Sequence, residues 1–406
     1  MKKVLLTAAF FIASVTVFAQ QSNVKEAKSI IEGSNPDFAK AEQLINAALK
    51  DPSTMNDPET WNTAGMVQKK IDEKQMEKAY LKKPYDTTAV YNSILNMYQY
   101  FVKCDELAQV PNEKGKIKNK YRKDNAAVML MERQNLIQGG IQSFNTGKNE
   151  DAVKFFGTYV ESASYPMLET AELMKKDTLL SQISYYATLA ADRAGNHAAV
   201  KKYAPMALSD KANGKFAMQL LAETYKTDKD SVQFLKTIEE GIVKYPDNQY
   251  FFANLIDYYA ARNQNDKAME FADQMIAKDP NNKLYTYVKA YLFHNMKKYD
   301  EAIPFYEKTV QLDPTYAEAF NNLGLVYVMK AQELSDKVTT NVNSPDYKKA
   351  QNAIKDLYKK ALPNYEKARQ LKPDQKELWG QGLLRVYYIL GMEPQYSELE
   401  KIMDKK

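Results

Sequence analysis

Lys244-Tyr245-Pro246-Asp247 and Lys278-Asp279-Pro280-Asn281 enclose a stretch that reads as one complete structural unit. Inside it, Phe252, Leu255, Ile256 and Tyr259 fall at i, i+3, i+4 and i+7, the spacing of one buried helix face. Asn263-Gln264-Asn265-Asp266 interrupts with turn formers, and Phe271, Met275 and Ile276 resume the helical spacing. Proline disfavours helix in the residue before it and restarts the chain beyond. The stretch therefore predicts a helix–turn–helix hairpin.

The same closing phrase returns at Leu312-Asp313-Pro314-Thr315 and Leu371-Lys372-Pro373-Asp374. Two steps between these prolines are 34 residues, and the third is 59, which is 34 plus 25. Tyr225, Tyr259, Phe293 and Tyr327 keep the step of 34. Ala268 and Ala302 keep it too, but the next equivalent, Ala361, comes 59 residues later. The extra residues thus lie between Tyr327 and Ala361, and the Ser335–Asp346 segment reads as part of them. A fixed period of this size predicts stacked hairpins, each burying its apolar face against its neighbours.

Composition agrees with that reading. In 406 residues there are only 14 glycines and 15 prolines, too few turn formers for a sandwich, a barrel or a collagen-like chain. The 45% hydrophobic and 12% aromatic content can fill a core, which excludes wholesale disorder. A mean hydropathy of −0.56 excludes a polytopic membrane protein. The 56 basic and 51 acidic residues leave a net charge of only +5, no nucleic-acid footprint unless the basic residues cluster.

Phe320-Asn321-Asn322-Leu323-Gly324-Leu325-Val326-Tyr327, followed by Ala361, Tyr365, Ala368 and Pro373, resembles the tetratricopeptide repeat (TPR) family. Small residues let paired helices approach closely while large ones fill the flanking space. The small slot of the first helix reads Gly65, Gly140, Ala187, Ala222, Ala290 and Gly324; that of the second reads Ala41, Ala152, Ala199, Ala268, Ala302 and Ala361. Ile256, Phe234 and Met97 depart from the pattern and predict local splaying or repacking. The resemblance implies an all-α fold, a right-handed α-solenoid of eight or nine TPR hairpins, two with extended inter-helix insertions around Pro84 and Pro345. The divisions expected are a leader (1–19), degenerate hairpins with an insertion (20–125), middle hairpins (126–212), a clear array (213–330), and an insertion loop, final repeat helix and capping hairpin (331–406).

The leader is read from Met1-Lys2-Lys3, the uncharged Val4–Phe18 run and Val17-Phe18-Ala19, the pattern of a secretory signal peptide cleaved after Ala19. The one cysteine, Cys104, lies far from that site, so neither a lipoprotein nor an internal disulfide is expected. With its signal peptide, its Lys/Asn/Tyr-rich composition and its interrupted hairpins, the chain is similar to exported TPR proteins of Bacteroidetes. That similarity implies the periplasm.

The sequence carries few signs of chemistry. His197 and His294 belong to different units and have no ligand-spaced partners, so no metal or cofactor is expected. No phosphate loop, nucleophile elbow or zincin motif is present, and no catalytic residue is assigned. Cys104 aligns with the small slot of Ala368 and reads as a buried structural thiol. Lys114, Lys116, Lys118, Lys120, Arg122 and Lys123 form a basic cluster that could touch anionic headgroups or an acidic partner; a solvated connector is the preferred reading.

TPR arrays curve, with their first helices on the inner wall. The resemblance therefore places Tyr250, Asn254, Asp257, Tyr287, Tyr291, His294, Asn295, Asn321 and Asn322 where a peptide could be held. Tyrosine offers apolar area at low entropic cost, and asparagine can bond a peptide backbone. The Lys/Arg/Asn set that TPR domains use to grip a C-terminal carboxylate is not matched there. The alternative is a wall that is merely amphipathic filling. The expected function is a non-catalytic protein- or peptide-binding scaffold of the bacterial envelope, with no nucleic-acid partner and no membrane span in the mature chain. An enzyme or enzyme subunit with a site at an insertion loop, and a self-assembling structural protein, are the competing readings.

Overall fold

A computed structural model describes residues 21–111, 113–338 and 342–404. The leader and its cleavage site, Lys405-Lys406 of the expected polar cap and part of the second insertion lie outside these residues. Among the described residues the secondary structure is helical, with no strand. The chain groups into two compact units, Met1–Lys229 and Asp230–Lys406. That single division falls inside the array expected over 213–330, between the two helices of one predicted hairpin.

In the first unit the helices are α1 (21–32), α2 (Phe38–Ala48), α3 (Pro58–Tyr80), α4 (Thr87–Leu107), α5 (Arg122–Asn145) and α6 (Asn149–Ser162). A 3-10 turn (Pro166–Ala171) and the short α7 (Leu173–Lys176) follow, then α8 (Leu180–Arg193), α9 (His197–Ala207) and α10 (Gly214–Thr227). The second unit holds α11 (Ser231–Lys244), α12 (Gln249–Ala260), α13 (Asn265–Lys278), α14 (Lys283–Asn295) and α15 (Tyr299–Leu312). It continues with α16 (Ala317–Asp336), α17 (Pro345–Leu371), α18 (Lys376–Leu390) and α19 (Glu393–Met403).

Helix starts are set locally. Asp37, Asp57, Asp86, Asn196, Asp230, Asn248, Asn282 and Ser344 each accept a hydrogen bond from a backbone N–H of the first turn. Hairpin turns are tight and share one conformation. Lys229, Asn263 and Lys297, spaced by the repeat, all take positive φ (60°, 54° and 59°), and Gly147, Gly195 and Gly391 do so at other turns. Both insertions lengthen their helices: α3 and α4 run 23 and 21 residues, α16 and α17 run 20 and 27, against 12 to 14 in α12–α15. Pro84 lies in the first intervening loop, and Pro345 opens α17 after the second.

Every alanine in the two small slots is buried. The glycines receive a ring from the partner helix: Gly65 faces Phe101, Gly140 faces Phe156 and Gly324 faces Tyr365. Ile256, Phe234 and Met97 are also buried, with Phe234 packed 5.9 Å from the Tyr258 ring. In the first unit one core runs from α4 to α9 and a smaller one joins α1, α2 and α3; in the second a core runs from α14 to α19. A Cβ at Gly324 would sit 2.9 Å from Tyr365 Cδ2 and Cε2. Gly324→Leu should therefore cost roughly 1–3 kcal/mol by overpacking, read as a lower urea midpoint at unchanged m-value.

Candidate functional site

Helices α12 and α14 are first helices of successive hairpins in the second unit, and a groove of about 210 Å³ opens between them. Its floor is apolar, from Phe252 and Ile256 on α12 and Leu284 and Val288 on α14. Asp257, Tyr287 and Tyr291 line it too, as do Gln249 and Ala253. One turn apart on α14, the Tyr287 and Tyr291 rings are stacked with centroids 6.4 Å apart. Tyr291 is 36% exposed.

Tyr287 is held from behind. Its ring packs on Tyr316 at 4.9 Å and against Tyr306 at 5.8 Å, and its hydroxyl accepts from Asn322 Nδ2 at 2.9 Å. Burial pushes the Tyr287 hydroxyl above its ordinary range, so it stays protonated. His294 sits among Tyr291, Tyr299 and Tyr306, with Nδ1 3.5 Å from the Tyr306 hydroxyl. Burial lowers the His294 pKa and keeps the imidazole neutral.

Nearby cations are engaged elsewhere. Lys283 pairs with Asp313 at 2.6 Å, which helps hold that carboxyl at about 2, and Lys289 pairs with Asp273. Asp257 is the charged side chain among the groove's lining residues.

Three of the nine residues singled out in the sequence thus meet in one groove: Asp257, Tyr287 and Tyr291. Asn322 and His294 support the tyrosines from outside the lining. Two assignments are corrected. Asn254 is buried and donates to the Tyr250 carbonyl at 3.0 Å, and Asn321 is buried and donates to Asn322 Oδ1 at 3.1 Å. Both amides face packed neighbours rather than an open wall. Tyr250 lies half-buried with its ring edge-on to Phe251 at 5.2 Å, and Asn295 is exposed at the end of α14. Gln249, Leu284 and Val288 were not singled out; the helical spacing that makes Phe252 and Ile256 core residues also brings them to the groove.

Tyr306 and Tyr316, which back Tyr287, lie in a segment with its own signature. Residues 290–330, from α14 through α15 into α16, match the family model described as TPR repeat. Over those residues the chain is similar to the TPR repeat family. Solved structures similar to it include a TPR repeats protein from Bacteroides fragilis, 16% identical, covering 63% of this chain and 98% of that one at a TM-score of 0.35. The P58(IPK) TPR domain is 14% identical, covering 92% and 99% at 0.30. YrrB, described as a TPR protein with an unusual peptide-binding site, is 16% identical, covering 52% and 94% at 0.30. No curated protein matches the chain.

On the other hairpins the reactive candidates are occupied by structure. Cys104 is fully buried and its thiol is pushed up to about 12, chiefly by burial and then by the charge of Asp105. His197 opens α9 with Nδ1 2.5 Å from Asp228 Oδ1. Among the described residues no three His, Cys, Asp or Glu side chains are grouped to hold a metal ion. Lys114, Lys116, Lys118 and Lys120 lie in the connector before α5, and Arg122 at the start of α5 grips buried Asp105 through two bonds of 2.7 and 2.8 Å. No described helix is long and apolar enough to cross a membrane.

Proposed function

We propose that this TPR-repeat chain is a non-catalytic scaffold of the bacterial envelope that captures an extended protein segment in the α12–α14 groove. The observation carrying this reading is the pairing of an apolar floor with a stacked tyrosine pair and a single carboxylate. Such a groove suits a lysine or arginine side chain. The aliphatic stem lies along Ile256 and Val288, and the cation meets Asp257 and the tyrosine faces. This sign is opposite to that of a carboxylate-gripping site. The envelope location rests on the N-terminal leader read from Met1–Ala19.

Tyr287 is too well packed to be a clean probe, because its removal also strips neighbours from Tyr306 and Tyr316. Asp257→Asn combined with Tyr291→Ala changes exposed groups only. In affinity capture from envelope extract, this pair should lower recovery of the specific partner by about tenfold or more while helicity and melting stay unchanged. Undiminished capture would remove the groove from the binding surface.

A further inference from the structure

The turn joining α3 to α4 exposes more large apolar surface than a solvated loop requires. Tyr80 is 88% exposed and Leu81 50%, with Met76 and Tyr85 also largely open. Three lysines surround them. Lys78, Lys82 and Lys83 have no carboxylate within ion-pair distance among the described residues, while nearby Glu73 and Glu77 are engaged by Lys70 and Lys74, each at 2.7 Å. Asp86 is spent capping α4, accepting from the backbone N–H groups of Thr88 and Ala89. Several N–H groups of the turn are paired: Leu81, Lys82 and Lys83 donate to the carbonyls of Glu77, Ala79 and Lys78, and the Asp86 N–H donates to Gln75 Oε1. Pro84 has no N–H to satisfy.

We propose that this turn is a contact point for an anionic phospholipid surface. Tyrosines favour the headgroup level, where the ring is apolar and the hydroxyl stays wet, and lysines nearby are attracted to anionic lipid. Charge decides the occupant: Lys78, Lys82 and Lys83 beside exposed Tyr80 and Tyr85 complement an anionic headgroup layer. With no described helix able to cross, the contact is interfacial.

Co-sedimentation of the purified protein with vesicles tests this. Binding is expected to vesicles containing phosphatidylglycerol, to be weak on phosphatidylcholine alone, and to fall with salt. Lys78→Gln, Lys82→Gln and Lys83→Gln together should weaken it roughly a hundredfold, at about fivefold per lysine. Tyr80→Ser with Leu81→Ser should weaken it about tenfold with unchanged melting, since both side chains are exposed. Asp257→Asn with Tyr291→Ala should leave vesicle binding intact, which separates this proposal from the groove. Three results would overturn it: vesicle binding undiminished in both turn variants; binding lost only when Lys114, Lys116, Lys118 and Lys120 become glutamine; or soluble polyglutamate bound as tightly as vesicles and insensitive to Tyr80→Ser with Leu81→Ser.

Discussion

Replacing Arg133 with alanine should destabilise the Met1–Lys229 unit by about 3–5 kcal/mol, the range for removing one partner of a buried ion pair. Arg133 and Asp177 are only 9% and 8% exposed and meet at 2.5 Å. Arg133 also donates to Ser162 Oγ and to the Tyr159 carbonyl, each at 3.0 Å, and stacks over the Tyr159 ring at 3.6 Å. One guanidinium thus pins α5 to α6 and to the segment leading into α8. Asp177 in turn accepts from the Leu179 N–H at 2.9 Å. Alanine would leave the Asp177 carboxylate buried without its cation, which costs far more than the lost Coulomb attraction. Urea unfolding of Arg133→Ala, Asp177→Asn and the double variant checks this. The double variant should be more stable than Arg133→Ala alone, because it no longer strands a charge.

The second large effect concerns pH. Asp72, on α3, is buried, and its Oδ1 has no hydrogen-bond partner among the described residues. Burial first, then the charges of Glu132 and Glu73, pushes its carboxyl up to about 7. In the unfolded chain the same group titrates near 3.9. The folded protein therefore holds this proton more tightly than the unfolded one. Its stabilising contribution is fully present below about pH 4 and is lost as pH rises through 7. At about 1.4 kcal/mol per unit of separation, the loss by pH 8 is on the order of a few kcal/mol. Asp72→Asn cannot ionise, so the variant should gain on the parent as pH is raised from 5 to 8. Urea midpoints for both proteins at the two pH values measure this. Parallel profiles would show that Asp72 is hydrated in solution.

The periodic part of the molecule was legible because each repeat solves one local problem. A turn needs a left-handed residue, a helix crossing needs a glycine or alanine, and a helix restart needs a proline, so these recur at 34 residues. The departures involve partners outside that period. Arg133 and Asp177 lie 44 residues apart, and no spacing rule joins them. Tyr287 read as an uncommitted wall residue, yet Tyr316 and Asn322 on the following turn and helix hold it in place. Asn254 and Asn321 fall where a helical wheel shows an open face, yet both are buried and their amides bond within their own helices. Nor does the repeat announce the division at Lys229–Asp230, since the turn there has the same backbone form as its equivalents at Asn263 and Lys297. A wheel reports one helix; a site depends on what the next hairpin places over it.

The groove makes a prediction about sequence preference, which can be read without knowing the natural partner. Selection of displayed random peptides on the immobilised protein should enrich segments with a lysine or arginine flanked by apolar residues, and the enrichment should collapse on the protein carrying Asp257→Asn with Tyr291→Ala. Enrichment of acidic segments, or the same peptides retained by that variant, would contradict capture in this groove.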